Sequence, residues 1–192
     1  MKSKIAVIIA SMRDSRNADK IVEWFKTETE QYEGKLDFTF IDLKERDIPR
    51  FKAANIPAQR AYEDDFTKAW SKEIEQYDGF VVITPEYNYS YPSSLKDAFD
   101  HLFHELTYKP ITFIGYGTDG GVRAIEHFRN VIIQLAMVST RRQTTIPLWE
   151  VIEEDVATIG KRFHGGVQEQ LRQLDWWAET LTKARAEREP VL

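Results

Sequence analysis

Gly79-Phe80-Val81-Val82-Ile83 runs straight into Thr84-Pro85-Glu86-Tyr87-Asn88-Tyr89-Ser90-Tyr91-Pro92, and an amphipathic stretch, Ser93 to Phe103, follows at once. A short apolar run bounded by proline predicts a buried strand, and the periodicity after Pro92 predicts a helix that proline can open. Between them lies a polar, aromatic loop at the carboxyl end of the strand. Open α/β sheets bind ligands there. Three tyrosine rings, an asparagine and free backbone groups suit the edge and face of a planar heterocycle.

Working outward, apolar runs alternate with longer helical patterns, which predicts βα units and a parallel sheet. Strands are expected at Lys4–Ala10, Leu36–Leu43, Gly79–Thr84, Pro110–Tyr116 and Val138–Ile146. The second alternates Leu36, Phe38 and Phe40 with Asp37 and Thr39, as a more exposed strand would. Helices are expected at Asp14–Gln31, Arg60–Tyr77, Ser93–Leu106, about 122–137 and about 160–189. Lys44–Gln59 and Pro147–Ile159 read as loops. Five strands and five helices in this order fit one unit, 1–192, with a three-layer, doubly wound architecture.

The 192 residues are enough for one domain with a substantial core, and 42% hydrophobic with 30% charged residues is an ordinary globular balance. A formal net charge of −5 without a basic run disfavours nucleic acid and anionic membranes as partners. No apolar segment approaches a membrane span, and Ile5–Ala10 is too short for a signal peptide's apolar region. A cytoplasmic location is expected. The chain contains no cysteine, which excludes disulfides, thiolate metal sites and cysteine nucleophiles.

Two segments invite an anion. Ala10-Ser11-Met12-Arg13-Asp14-Ser15-Arg16-Asn17 joins the first strand to the first helix and combines two hydroxyls, two guanidinium groups and helix-start amides. The same residues also read as a helix cap with solvated arginines, so both readings stand at this point. Gly115-Tyr116-Gly117-Thr118-Asp119-Gly120 matches the dinucleotide fingerprint G-x-G-x-x-G. It sits on the fourth strand instead of the first, and Thr140, Arg141 and Arg142 stand where an acid should follow. We read the match as a decoy. His101 and His104 lie three apart beside Asp97, Asp100 and Glu105, but no motif supplies a third ligand, so a polar stripe at a subunit contact is expected there and no metal. Glu86 reads as a structural carboxylate in preference to a general base.

The loop Thr84-Pro85-Glu86-Tyr87-Asn88, continued by Ser90, Pro92, Leu95 and Lys96-Asp97-Ala98, resembles the NAD(P)H-dependent FMN reductase family, with its related quinone, azo-dye and chromate reductases. The resemblance covers roughly Lys4 to Ile146. It departs at Ala10 and at Tyr89, where many members carry glycine. It implies a flavodoxin-like three-layer sandwich with a five-stranded parallel sheet and FMN as cofactor. Ser11, Arg13, Ser15, Arg16 and Asn17 would hold its phosphate. Pro85, Glu86, Tyr87 and Asn88 would line the ring, with Tyr116, Gly117 and Thr118 approaching from the next strand. Tyr89 and Tyr91 are then candidates for the acceptor pocket. The implied activity passes hydride from NADPH or NADH to FMN and on to a small-molecule acceptor such as a quinone, an azo compound or free flavin, with no catalytic side chain. A homodimer or homotetramer is implied, with contacts through the helices after strands three and four. The competing readings are an electron-transfer flavodoxin-like carrier, a flavin-free binding module, and an NADP-binding use of Gly115–Gly120.

Overall fold

A computed structural model of the chain describes residues 2–189 and 191; Met1, Pro190 and Leu192, part of the expected 1–192 unit, lie outside the described residues. Strands β1 (Ser3–Ile9), β2 (Leu36–Asp42), β3 (Gly79–Pro85), β4 (Pro110–Gly117), β5 (Val138–Ser139) and β6 (Thr144–Pro147) form one sheet. The order is β2-β1-β3-β4-β5, with β6 also paired to β4, and every pairing is parallel. Helices α1 (Ala18–Glu30), α2 (Asp65–Glu75), α3 (Ser93–Asp100), α4 (Val122–Gln134), α5 (Leu148–Glu153) and α6 (Val156–Glu187) complete the three layers.

The alternation of strand side chains divides the core in two. Ala6 and Ile8 of β1, Phe80 and Val82 of β3 and Phe113 of β4 meet Trp70, Leu95, Phe99 and Phe128 on one face. Ile5, Val7, Val81, Ile83 and Ile114 meet Trp24, Phe25, Val167, Leu171 and Leu174 of α1 and α6 on the other. Every residue of β3 and β4 is buried, as central parallel strands require, whereas β2 is a half-exposed edge.

Four expected elements are corrected. Helix α1 starts at Ala18 instead of Asp14, because Arg16 is held back by Asp42 and Ser11. Helix α2 starts at Asp65, where Asp64 accepts a 2.7 Å bond from the Thr67 amide as its cap. The fifth strand is split into β5 and β6. Across the break, Thr140 Oγ1 bonds to Thr112 Oγ1 (2.7 Å) and the buried Gln170 donates to Thr112 Oγ1 and the Phe113 carbonyl (both 2.9 Å). The stretch read as a loop before the last helix contains α5, and α6 begins at Val156 under an Asp155 cap.

Candidate functional site

The chain leaves β1 toward β2 on one side and returns through β3 on the other, so the carboxyl ends of β1 and β3 flank a topological switch point. Three loops converge there. Residues Ser11, Arg13, Ser15, Arg16 and Asn17 after β1, Pro85, Glu86 and Tyr87 after β3, and Tyr116, Gly117 and Thr118 after β4 line one cleft, joined by Leu148 of α5. The cleft measures about 490 Å³ counted with its open mouth. Larger recesses lie on the helical layers, away from these strand ends.

The first loop is fastened from beneath. The Ala10 amide donates to the Ile83 carbonyl (2.9 Å), and Ser94 Oγ donates to the Ala10 carbonyl (2.9 Å). Ala10 does not adopt a positive φ, so alanine serves there as well as glycine. Arg16 donates to the Ser11 carbonyl (2.8 Å) and Asp19 (2.9 Å), and both of its terminal nitrogens meet the Asp42 carboxylate. The Asp42 bond pushes the Arg16 pKa upward, against partial burial. Burial works to raise Asp42, but the hydrogen bonds from Arg16 and the Lys44 amide hold it below the usual carboxylate range. Arg16 lines the cleft, yet its donors are directed into the protein. Among the described residues, Arg13 and Ser15 form no hydrogen bond or ion pair and face the cleft with their donors available.

The second loop is a tight hairpin. Tyr87 and Ser90 exchange backbone bonds of 2.8 and 2.9 Å, with Asn88 at φ 49 and Tyr89 at φ 69 between them. Two left-handed residues define the turn that favours Asn-Gly, so Asn88 fits its place and Tyr89 occupies the position normally given to glycine. The Tyr87 hydroxyl lies 3.0 Å from Ser11 Oγ, tying this loop to the first. Glu86 donates its amide to the Tyr116 carbonyl (2.9 Å), while its side chain is only 6% exposed and binds Arg123 of α4. Its carboxylate is taken up by the Arg123 amide and guanidinium.

Gly117 sits against Glu86 so closely that a Cβ there would come within 3.0 Å of the Glu86 Cβ. Gly121, at φ 78, caps α4, where a Cβ would lie 2.5 Å from the Tyr116 amide nitrogen. These glycines let β4 turn into α4 beside the cleft. Burial pushes the Tyr116 hydroxyl's pKa upward, keeping it a neutral wall residue.

Of the residues expected around the cofactor, Asn88 is absent from the cleft wall, since the turn carries it outward. Tyr89 is 65% exposed at the rim, with the Arg123 guanidinium 3.8 Å from its ring centroid. Tyr91 departs further: its ring meets Phe128 edge-on at 5.0 Å and belongs to the core under α4 rather than to a pocket. His101 is buried, bonded to Thr67 Oγ1 (2.7 Å) and the Pro49 carbonyl (3.0 Å), and His104 reaches the Ala58 carbonyl (2.8 Å). His101 is therefore internal and not part of a surface stripe, and both histidines hold the loop that carries Pro49 and Ala58.

Two residues escaped the sequence reading. Leu148 opens α5, and α5 is docked by Lys20, whose ammonium donates to the Val151 (2.6 Å) and Glu154 (2.9 Å) carbonyls at that helix's end. Its only advance signal was an apolar residue after Pro147. Arg123 follows the Gly120-Gly121 pair by two positions, and nothing local marks its partner 37 residues earlier.

A family model described as NADPH-dependent FMN reductase matches residues 3–150. The chain is 34% identical over 156 residues to an NAD(P)H-dependent FMN reductase of Schizosaccharomyces pombe, spanning 78% of this chain and 76% of that protein. It is 33% identical over 144 residues to an NAD(P)H-dependent FMN reductase of Saccharomyces cerevisiae, spanning 70% and 75%. Among solved structures, the Paracoccus denitrificans flavoenzyme FerB, an NAD(P)H:(acceptor) oxidoreductase, superposes with a TM-score of 0.63 over 94% of this chain and 98% of that one; at 21% identity this likeness speaks for the fold.

Proposed function

The chain belongs to the NADPH-dependent FMN reductase family, and on that premise we propose that the cleft binds FMN and that the protein passes electrons from NADPH or NADH to a small acceptor. One observation carries the reading: loops from three strands, spanning Ser11 to Thr118 in the sequence, meet in a single cleft whose two ends differ in chemistry. Hydroxyls of Ser11 and Ser15, the free guanidinium of Arg13 and the loop amides before α1 suit a phosphate monoester. Pro85, Tyr87, Tyr116 and Leu148 supply apolar and aromatic wall for a flat ring. This donor set fits FMN.

When bound, FMN supplies the hydride chemistry, and the protein supplies position and electrostatics. Arg13, Ser15 and Ser11 would fix the phosphate end. Pro85, Glu86 and Tyr87 would set the ring against Tyr116 and Gly117, whose missing side chain leaves the two loops in contact. No side chain in the cleft is arranged as an acid–base pair. The acceptor is a planar compound of the quinone, azo or flavin class, and the exposed Tyr89 at the rim is where its size would be read. Exposed Val122 and Ile133 on α4 support association into a homodimer or homotetramer. No helix among the described residues is long and apolar enough to cross a membrane, and a cytoplasmic location belongs to the same proposal.

An anaerobic visible spectrum of protein reconstituted with FMN, taken before and after NADPH or NADH, tests the reading. Retained flavin that bleaches on addition of the nicotinamide is the expected result. Retained flavin that stays oxidised would replace the reductase with a carrier, and no retained flavin would end the proposal.

A further inference from the structure

Arg123, in the first turn of α4, stands outside the cleft wall, yet its contacts converge on the ring-side loop. Its amide donates to Glu86 Oε2 (3.1 Å), its Nε to Glu86 Oε1 (2.6 Å), and a terminal nitrogen lies 2.5 Å from the same oxygen. The same guanidinium reaches Asp119 (2.6 Å) and stacks on the Tyr89 ring at 3.8 Å. A nearly buried carboxylate requires such a partner, and losing it would leave an unpaired charge. Tyr89, meanwhile, holds a left-handed backbone that bulky L residues avoid. One turn further along α4, His127 Nδ1 lies 3.2 Å from Ser90 Oγ, at the closing end of the same hairpin.

We infer that Arg123 is a positioning residue for the ring end of the cleft, fixing Glu86 and bracing Tyr89 so that the Pro85–Ser90 loop keeps its shape without Arg123 touching the cofactor. The inference rests on the FMN reading. It gives Arg123 a task that the phosphate-side residues cannot share, since Arg13 and Ser15 lie on the other loop. Flavins with and without a phosphate should therefore feel its loss alike.

Flavin fluorescence titrations of the full chain with FMN and with riboflavin, on the unsubstituted protein, Arg123→Ala, Arg123→Lys and Arg13→Ala, distinguish the two ends. Arg123→Ala should weaken both flavins by the same factor, roughly tenfold for one lost charge-assisted contact set, and should shift the visible band of bound flavin. Arg13→Ala should weaken FMN alone and leave the band shape unchanged. Arg123→Lys should show the Arg123→Ala pattern at reduced size, and it serves if the alanine variant fails to fold. Unchanged riboflavin affinity in the Arg123 variants, or a loss confined to FMN, overturns the inference. Ligand-free melting supplies a second reading. Arg123→Ala should lower Tm by a few degrees, and by less when combined with Tyr89→Gly. Equal losses in both backgrounds overturn the bracing of Tyr89. Should the unsubstituted protein bind neither flavin, the FMN reading falls, while the melting comparison still decides whether Arg123 braces the turn.

Discussion

Two arginine–carboxylate pairs stand behind the two loops of the cleft, and they are built differently. Arg16 and Asp42 are both nearly enclosed, join the first loop to the edge strand, and stop α1 from beginning earlier. Arg123 and Glu86 join the hairpin loop to α4, with the arginine a third exposed and its guanidinium shared with Asp119 and the Tyr89 ring. The first pair is a rigid foundation. The second is an adjustable brace at the mouth. An arginine near a bound anion is thus no measure of the charge available to it: Arg16 lines the cleft but answers to Asp42, while its neighbour Arg13 is free.

The largest expected effect breaks the foundation. Asp42→Ala leaves Arg16 without its main partner and should cost about 3 kcal/mol of stability, as for a largely buried pair cut on one side. Denaturant unfolding checks it, and a loss below about 1 kcal/mol would make the pair no stronger than a surface contact. The linkage has a definite sign. Because Asp42 titrates below its unfolded value, its contribution is complete above about pH 4 and disappears as the pH falls through the lower folded value.

Next in size is the free charge itself. Arg13→Ala with Ser15→Ala should weaken FMN about 30-fold or more, from two lost polar contacts to phosphate, while the melting temperature of the ligand-free protein stays put. Isothermal titration and thermal melting together decide the matter. A large drop in Tm would mean these residues belong to the foundation after all.

The opposite, amino-terminal end of the sheet provides a control region with a buried charge far from the candidate site. Lys109, just before β4, donates to the Glu75 carbonyl (2.9 Å), and burial brings its pKa down to about 8. Below that pH the ammonium is charged in both states and the burial penalty is complete. As the pH rises from 8 toward the unfolded value near 10.4, the folded state releases its proton first and gains stability, by about 2 kcal/mol. Chemical denaturation at pH 7.5 and pH 10 should show that gain, and Lys109→Met should remove it.

The smallest expected effect sharpens the brace. Tyr89→Gly relieves the left-handed tyrosine but loses its stack on Arg123, so these contributions of about 1 kcal/mol each should nearly cancel in stability. The acceptor range should change nonetheless, with bulkier quinones and azo compounds gaining in kcat/KM over small ones. An identical acceptor profile would leave Tyr89 a surface residue.

The layers of this fold were legible in the sequence because β1, β3 and β4 are continuous apolar runs and their loops carry distinctive chemistry. The residues of the cleft were legible in the same way, except where long-range partners decide. Nothing near Arg16 announces Asp42, 26 positions on. Tyr91 shares the alternation of Tyr87 and Tyr89, but the hairpin turn reverses its direction and Phe128 receives it. Leu148 joined the wall only because Lys20 docks a six-residue helix that propensity alone would not sustain. Local pattern finds elements; partners distant in sequence assign their side chains.

The break between β5 and β6 has a consequence for association of a different kind. A sheet edge offers unpaired backbone groups that can recruit a strand from another molecule. Here that margin is a two-residue piece and a four-residue piece, separated by a segment whose Thr140 and Arg142 groups are bonded to β4 and α6 and whose arginines Arg141 and Arg142 are exposed. No incoming strand finds a continuous ladder to copy. Among the described residues the interruption leaves β2 as the one long margin, and on the β4 side the buried Gln170, which holds α6 to the sheet, bonds to β4 where a partner strand would pair.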